Sequence, residues 1–152
     1  MAGLDIVSEA IVDADPAAVY AAVNDFTPAR AQWWLPQVEV RPRGEIGADL
    51  VGSVFELLPR RPRVPRSTLR IIEARENELV RYDYIDGPVV GNGTLTLTPV
   101  DGKTRVTYRY EVTARRRFLR VLNPVVARMY SRSMPAFFAG LSEHLRRQEH
   151  RT

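Results

Sequence analysis

The sequence predicts an α+β domain made of seven β-strands, with short connections that favour antiparallel pairing, and one long C-terminal helix. Between residues 37 and 113, short runs rich in β-branched and aromatic residues are separated by turn residues, which is typical of successive strands. After Thr113 the apolar residues recur at helical spacing. A chain of 152 residues that is 45% hydrophobic can bury one core, so we expect a single domain over residues 1–152.

The segment before residue 37 predicts a first strand followed by two short helices. Residues 6–13 alternate with period two, which indicates a strand. Asp15 then precedes Pro16, so that a carboxylate can cap the helix and proline takes its first position. This pattern predicts a helix over about residues 16–24. Thr27-Pro28 repeats the signal and predicts a second short helix, which ends by Leu35-Pro36.

The central region predicts six further strands joined by short connections. Short connections favour antiparallel hairpins, because a parallel pair needs a long crossover. Asp101-Gly102 is the strongest turn signal, since aspartate and glycine tolerate the positive φ of tight turns. Asp86-Gly87-Pro88 is a second one. The predicted strands cover about residues 38–41, 49–58, 67–74, 79–85, 90–98 and 104–113.

The C-terminal segment predicts the long helix. Pro135 falls inside it and removes one backbone hydrogen bond, so we expect a kink there. Asn123-Pro124 indicates an alternative start, which would leave residues 116–122 as a separate turn. The apolar residues with helical spacing are Phe118, Leu122, Val125, Met129, Phe137, Leu141 and Leu145.

This order of elements resembles the START-like (SRPBCC, helix-grip) superfamily, and in particular its bacterial polyketide cyclase/dehydrase and lipid-transport branch. The resemblance is carried by Asp15-Pro16-Ala17-Ala18-Val19-Tyr20, by Trp33-Trp34 and by Phe137-Phe138-Ala139-Gly140-Leu141. It covers nearly the whole chain, and none of these residues is a catalytic signature. The resemblance implies the helix-grip fold: a strongly curved antiparallel sheet of seven strands that wraps around the long C-terminal helix and encloses a cavity between the two.

Alternation along the strands identifies which side chains face that cavity. Tyr108 and Tyr110 share one face of the last strand, and Tyr82 and Tyr84 alternate in the same way. These tyrosines either fill the core or form an apolar wall with hydroxyl groups that contacts a ring-bearing or lipid-like ligand. The candidate ligand-binding residues are Trp34, Phe55, Arg70, Tyr82, Tyr84, Leu95, Tyr108, Tyr110, Met129 and Phe137.

Arg70 is the only candidate for a catalytic residue, and its side of the sheet is open in the sequence. If Leu69 and Ile71 point inward, Arg70 is a solvated charge on the outer face. If Thr68 and Ile72 point inward, a guanidinium enters the cavity. The related aromatase/cyclases are similar in placing an arginine on the corresponding strand, where it can hold a polyketide carbonyl or stabilise an enolate.

Arginine clusters indicate where the cavity opens. The net charge is only +4, but Arg60, Arg61, Arg63 and Arg66 lie together in a loop with three prolines. This loop and the segment Arg115 to Phe118 are the predicted entrance. The arginines either keep the protein in solution or make transient contact with an anionic membrane surface. Nucleic-acid binding is a less favoured third interpretation.

The sequence predicts a binder of a hydrophobic small molecule, either a carrier or a sensor. The alternative is a polyketide cyclase, aromatase or dehydrase that acts on a ligand in the same cavity. We expect no cofactor and no metal, since cysteine is absent and His144 and His150 lack the spacing of two ligands on one helical face. A cytoplasmic location is expected, because no signal peptide and no run of about 18 apolar residues occurs.

Overall fold

A computed structural model describes residues 4–25, 38–47, 49–59, 66–116, 121 and 123–151. Side chains are described for most of these residues. The elements in chain order are β1 (Leu4–Val12), α1 (Pro16–Val23), β2 (Val38–Arg43), β3 (Val54–Pro59), β4 (Ser67–Arg75), β5 (Leu79–Asp86), β6 (Val89–Val100), β7 (Lys103–Ala114) and α2 (Asn123–Arg151).

The strands form one antiparallel sheet in the order β1-β7-β6-β5-β4-β3-β2. Strands β2 to β7 follow one another as hairpins, and β1 joins the sheet beside β7. The two helices lie on one face, where α2 contacts β1 and α1. Side chains from that face and from both helices form the main apolar core. The predicted α+β helix-grip fold is therefore confirmed.

Several strand boundaries differ from the prediction, and two of them have a local reason. The strand predicted from residue 49 begins at Val54, because the chain turns before it: Leu50 and Gly52 have φ values of 70° and 90°. The Ser53 amide donates to the Leu50 carbonyl at 3.0 Å and closes this turn. Strand β2 extends past its predicted end through Pro42, which an edge strand tolerates because one side of its backbone has no ladder partner.

Helix α1 begins as the sequence predicts. Asp15 is the N-cap, and its side chain accepts a hydrogen bond from the Ala18 amide at 2.8 Å. Val19 and Val23, on the inner side of the helix, are completely buried. The second short helix, predicted between Thr27 and Leu35, lies outside the described residues.

Replacing the cap of α1 is expected to lower stability modestly. Asp15→Ala leaves the Ala18 amide without its side-chain acceptor, so the free energy of unfolding should fall by about 1 kcal/mol. Urea denaturation measures the change. Asp15→Ser restores an acceptor at the same position and should recover most of the loss; equal loss in both variants would contradict the capping role.

Helix α2 begins at Asn123 and continues through Pro135 to Arg151. Phe137, Leu141 and Leu145 are buried, which confirms their place on the inner face. The prediction for Val125 is wrong, because its side chain is 56% exposed. Among the described side chains of α2, Pro124, Val125 and Arg128 are exposed, and the first buried one is Met134. Phe118, Leu122 and the Met129 side chain lie outside the described residues.

No helix in the described part of the chain is long and apolar enough to cross a membrane.

Candidate functional site

The inner face of the sheet is lined by the tyrosines that the alternation indicates. Tyr82 of β5 lies opposite Gly93 of β6, which in turn lies opposite Tyr110 of β7, so these positions share one face. Tyr82, Tyr84 and Tyr110 are 2–5% exposed, and Tyr108 is half-buried. Leu95 is buried on the same face. The predicted inward orientation of these residues is confirmed.

Tyr84, Tyr108 and Tyr110 make contact with one another and are called the tyrosine cluster below. The hydroxyls of Tyr84 and Tyr108 are 3.0 Å apart and share a hydrogen bond in which either can be the donor. The ring of Tyr110 meets that of Tyr84 edge-on at 5.4 Å and stacks with that of Tyr108 at 6.4 Å. The cluster therefore places two joined hydroxyls on a wall that is otherwise aromatic.

Glycines in β6 permit this arrangement. A Cβ at Gly93 would meet the hydroxyl of Tyr108 and would lie 2.8 Å from its Cζ atom, so the tyrosine ring occupies the space above the glycine. At Gly91 a Cβ would collide with the Glu111 carbonyl oxygen of the neighbouring strand. The missing side chain at Gly93, which the alternation places on the inner face, thus makes room for the tyrosine cluster itself.

A second aromatic group continues the wall towards β3. The rings of Phe55 and Tyr82 meet edge-on at 5.7 Å, and Phe55 is only 2% exposed. Across from the sheet, Phe137 and Phe138 of α2 contact each other at 5.5 Å. All four belong to the same apolar core. The inner face is therefore aromatic on the sheet side and on the helix side.

Arg70 lies on the outer face of the sheet, so the prediction that it is a ligand-binding and catalytic residue is wrong. Leu69 and Ile71 are buried, whereas Arg70 is exposed on the outer face, opposite Asp83 of β5. The register explains this placement: Leu69 lies between Phe55 and Tyr84, so the inner position beside them takes an apolar side chain. An inward guanidinium would have to lose its hydration among aromatic rings.

Two of the predicted ligand-binding residues cannot be placed, and two residues of the inner face were not among the predicted ones. Trp34 and the side chain of Met129 lie outside the described residues. Ser8 of β1, opposite Tyr108, brings a third hydroxyl group to the half-buried part of the inner face. Phe138 is buried beside Phe137. The signal for Phe138 was its helical spacing from Met134, Leu141 and Leu145.

The described ends of the predicted entrance segments come together around the β5–β6 turn. A Cβ at Gly87 would lie 2.8 Å from the Arg66 carbonyl oxygen, so the end of the β3–β4 connection contacts this turn. From the other side, the Arg115 amide donates to the Pro88 carbonyl at 2.9 Å. The Arg115 guanidinium donates to the carbonyls of Gly87 and Ile85 at 2.9 and 3.2 Å. Arg60, Arg61, Arg63 and Phe118 lie outside the described residues.

Several charged side chains on the outer face form ion pairs. Arg109 donates to both carboxylate oxygens of Asp5, at 3.0 and 2.7 Å. This hydrogen bond lowers the pKa of the Asp5 carboxyl from its ordinary value, although both side chains are 52% exposed. Within the described residues, no cluster of three histidine or carboxylate side chains could hold a metal ion.

Comparison with solved structures shows the same fold in several proteins. TTHA0849 from Thermus thermophilus is 21% identical and superposes with a TM-score of 0.75, covering 93% of this chain and 97% of its own. CV1439 from Chromobacterium violaceum is 20% identical, with a TM-score of 0.64 and coverage of 91% and 96%. A point mutant of norcoclaurine synthase from Thalictrum, in complex with a transition-state analogue, is 16% identical, with a TM-score of 0.73 and coverage of 100% and 99%.

At these identities the likeness shows the fold alone. Among curated proteins, none matches the sequence. The family model described as "Polyketide cyclase / dehydrase and lipid transport" matches residues 4–146, which span the sheet and most of α2. With the tyrosine-lined inner face and the helix-grip fold, this match shows that the chain belongs to the polyketide cyclase / dehydrase and lipid transport family.

Proposed function

We propose that this protein binds a hydrophobic small molecule, lipid-like or polyketide-like, between the inner face of the sheet and α2, and acts as a carrier or sensor. The observation that carries the proposal is the tyrosine cluster: aromatic rings at 5.4 and 6.4 Å with one hydroxyl pair among them. Apolar walls with a few fixed polar groups are characteristic of small-molecule sites.

The geometry favours a ligand that carries rings or an acyl chain and at least one oxygen. Rings of the ligand would pack against Tyr108 and Tyr110, since edge-on and offset-stacked contacts between aromatic rings are favourable. The Tyr84–Tyr108 hydroxyl pair is the polar feature of this wall beside which a carbonyl or hydroxyl oxygen of the ligand would lie. Lipid transport, named in the family description, and the ligand-bound norcoclaurine synthase of the same fold support a ligand-holding role.

A cyclase or dehydrase is the alternative, and the family description includes both activities. Such an enzyme needs an acid or base within about 3 Å of the reacting group, directly or through one water. With Arg70 on the outer face, the described inner wall offers tyrosine hydroxyls for this role. Tyrosine hydroxyls alone do not identify a catalytic acid or base, so we favour the carrier.

Removing a ring of the cluster is expected to weaken ligand binding. Tyr108→Ala should raise the Kd for the fluorescent probe 1-anilinonaphthalene-8-sulfonate by roughly tenfold, because about 1.4 kcal/mol of ring contact is lost. Tyr108 suits the test because it is half-buried, so its loss perturbs folding less than loss of its buried neighbours. Fluorescence titration measures the Kd, and circular dichroism checks the fold.

Arg70→Gln is the matched control, since it changes an exposed residue on the opposite face of the sheet. Its probe affinity should equal that of the wild type. An unchanged Kd in natively folded Tyr108→Ala would contradict the proposed site. Mass spectrometry of small molecules that co-purify with the protein distinguishes the two functions: one intact hydrophobic compound supports a carrier, whereas a mixture of precursor and cyclised or dehydrated product supports an enzyme.

A further inference from the structure

Burial across the inner face of the sheet changes towards the edge strand β1. In the middle of the sheet, Tyr82, Leu95 and Tyr110 are 2–5% exposed. Along β1, the inner positions before Val12 are half-buried, and the apolar ones among them pack against the core. These positions are Leu4, Ile6, Ser8 and Ala10. The inner face is therefore partly open to solvent along β1.

Tyr108 shows how far this exposure extends into the sheet. It is half-buried, although Val106 and Tyr110, its neighbours on the inner face of β7, are 0% and 2% exposed. On the β6 side it lies opposite the buried Leu95, and on the β1 side it lies opposite the half-buried Ser8. The exposure of Tyr108 is thus continuous with that of β1, one strand in from the edge of the sheet.

Tyr108 connects this half-exposed strip to the tyrosine cluster. Side chains directly opposite each other on antiparallel strands are close neighbours, so the small side chain of Ser8 leaves the β1 side of Tyr108 uncovered. The hydroxyl of Tyr108 points away from β1, over Gly93, and meets the hydroxyl of Tyr84 at 3.0 Å. One side of the same residue therefore borders β1, while its hydroxyl lies in the proposed ligand site.

Hydrogen bonds tie the chain together at two other places around the inner face. At the end of β1, Val12 is buried, and the hydroxyl of the buried Thr104 donates to the Ala14 carbonyl at 2.7 Å. At the β5–β6 turn, the guanidinium of Arg115 donates to two carbonyls of this hairpin, at 2.9 Å to that of Gly87 and at 3.2 Å to the other. A ligand that entered at either place would have to break these bonds, whereas the strip along β1 is already exposed.

We propose that the hydrophobic ligand enters and leaves the inner site laterally, over the inner side of β1 between Ile6 and Ala10, and passes Ser8 to reach Tyr108. These four residues are called the lateral path below. The proposal rests on the proposed function, because it concerns the route to the same site. Ile6 and Ala10 are apolar, so a hydrophobic molecule exchanges water for apolar contacts as soon as it enters.

Cysteine labelling tests the lateral path directly, because the chain has no cysteine of its own. Ser8→Cys places one thiol on the path, and its reaction with N-ethylmaleimide is followed by mass spectrometry. With the probe 1-anilinonaphthalene-8-sulfonate at about ten times its Kd, about one molecule in eleven is free, so labelling should slow by about tenfold. Val7→Cys is the matched control, since Val7 is the next residue and is 56% exposed on the outer face. Its labelling rate should not change; an unchanged rate in Ser8→Cys as well would overturn the proposal.

Exchange rates distinguish a path from a mere contact. Ser8→Phe narrows the lateral path and should lower the association and dissociation rate constants of the probe by the same factor, because both directions cross one barrier. The Kd, which is the ratio of the two rate constants, should stay unchanged. Stopped-flow fluorescence measures both, and Val7→Phe, on the outer face, should exchange the probe as the wild type does. A Kd that rises in Ser8→Phe at an unchanged association rate would make Ser8 a ligand contact and contradict the path.

A third cysteine tests the competing route and keeps the two proposals separable. Asp86→Cys lies exposed at the end of β5, beside the β5–β6 turn, and its labelling should be independent of the probe. Protection of Asp86→Cys without protection of Ser8→Cys would place the entrance at that end and overturn the lateral path. The Kd of the probe for the wild type and for Tyr108→Ala reports the inner site itself. Binding that depends on Tyr108 but leaves Ser8→Cys unprotected contradicts the path alone, whereas binding that does not depend on Tyr108 contradicts the proposed function.

Discussion

The Gly91→Ala variant should lose about 2 to 5 kcal/mol of its free energy of unfolding, for two separable reasons. Gly91 has φ of 137°, a conformation that residues with a Cβ rarely adopt. The added methyl would also meet the backbone of β7, at the Glu111 carbonyl oxygen and 2.7 Å from the Val112 Cα. Backbone atoms in the middle of a ladder cannot move aside without breaking hydrogen bonds between β6 and β7.

The control for Gly91 is Gly102, in the β6–β7 turn. Its φ of 78° is also positive, but nothing lies within 4 Å of a Cβ built there. Gly102→Ala therefore isolates the conformational cost, which is about 1 kcal/mol. Urea denaturation of both variants gives the difference. If the two substitutions cost the same, the close approach of β7 does not constrain position 91.

The Tyr110→Ala variant should lose about 3 to 5 kcal/mol, because a large side chain is removed from the core. Tyr110 is 2% exposed and contacts both other members of the tyrosine cluster. Alternation alone suggests that Tyr108 and Tyr110 could each be truncated with the fold intact, but the burial of Tyr110 separates them. Replacing Tyr110 by alanine is therefore expected to lower the free energy of unfolding as strongly as it weakens ligand binding.

Tyr110→Phe is the control, since it keeps the ring and removes only the hydroxyl. It should retain most of the stability and its stacking with Tyr108. Thermal and urea unfolding followed by circular dichroism measure both variants. A loss in Tyr110→Phe as large as in Tyr110→Ala would show that the hydroxyl, and not the ring, stabilises the core at this position.

Local chemistry was enough to predict most of the fold. The period-two alternation of the strands and the Asp15-Pro16 cap report properties that each short segment carries by itself. Alternation also predicted the inner face, because Tyr82, Tyr84, Leu95 and Tyr110 are apolar or aromatic at every second position, while all their neighbours except Ile85 are polar. Where one face of an element is exposed to solvent and the other is buried, the positions of its polar and apolar residues show which face is buried.

Tertiary structure decided the features that the sequence left open. These lie where both faces of a segment carry similar residues, or where contacts join distant parts of the chain. Arg70 stands among Thr68, Leu69, Ile71 and Ile72, so alternation left its side open until pairing with β3 and β5 turned Leu69 inward. The turn around Leu50 depends on a positive φ at Leu50 itself, and leucine is not a residue type that indicates such a turn. The Tyr84–Tyr108 hydrogen bond joins residues 24 apart, which approach because β6 lies between their strands and has glycine where a side chain would fill the space. The sequence by itself determined which side chains of β5, β6 and β7 line the inner face; only the packing of the strands decided the side of Arg70 and which residues touch.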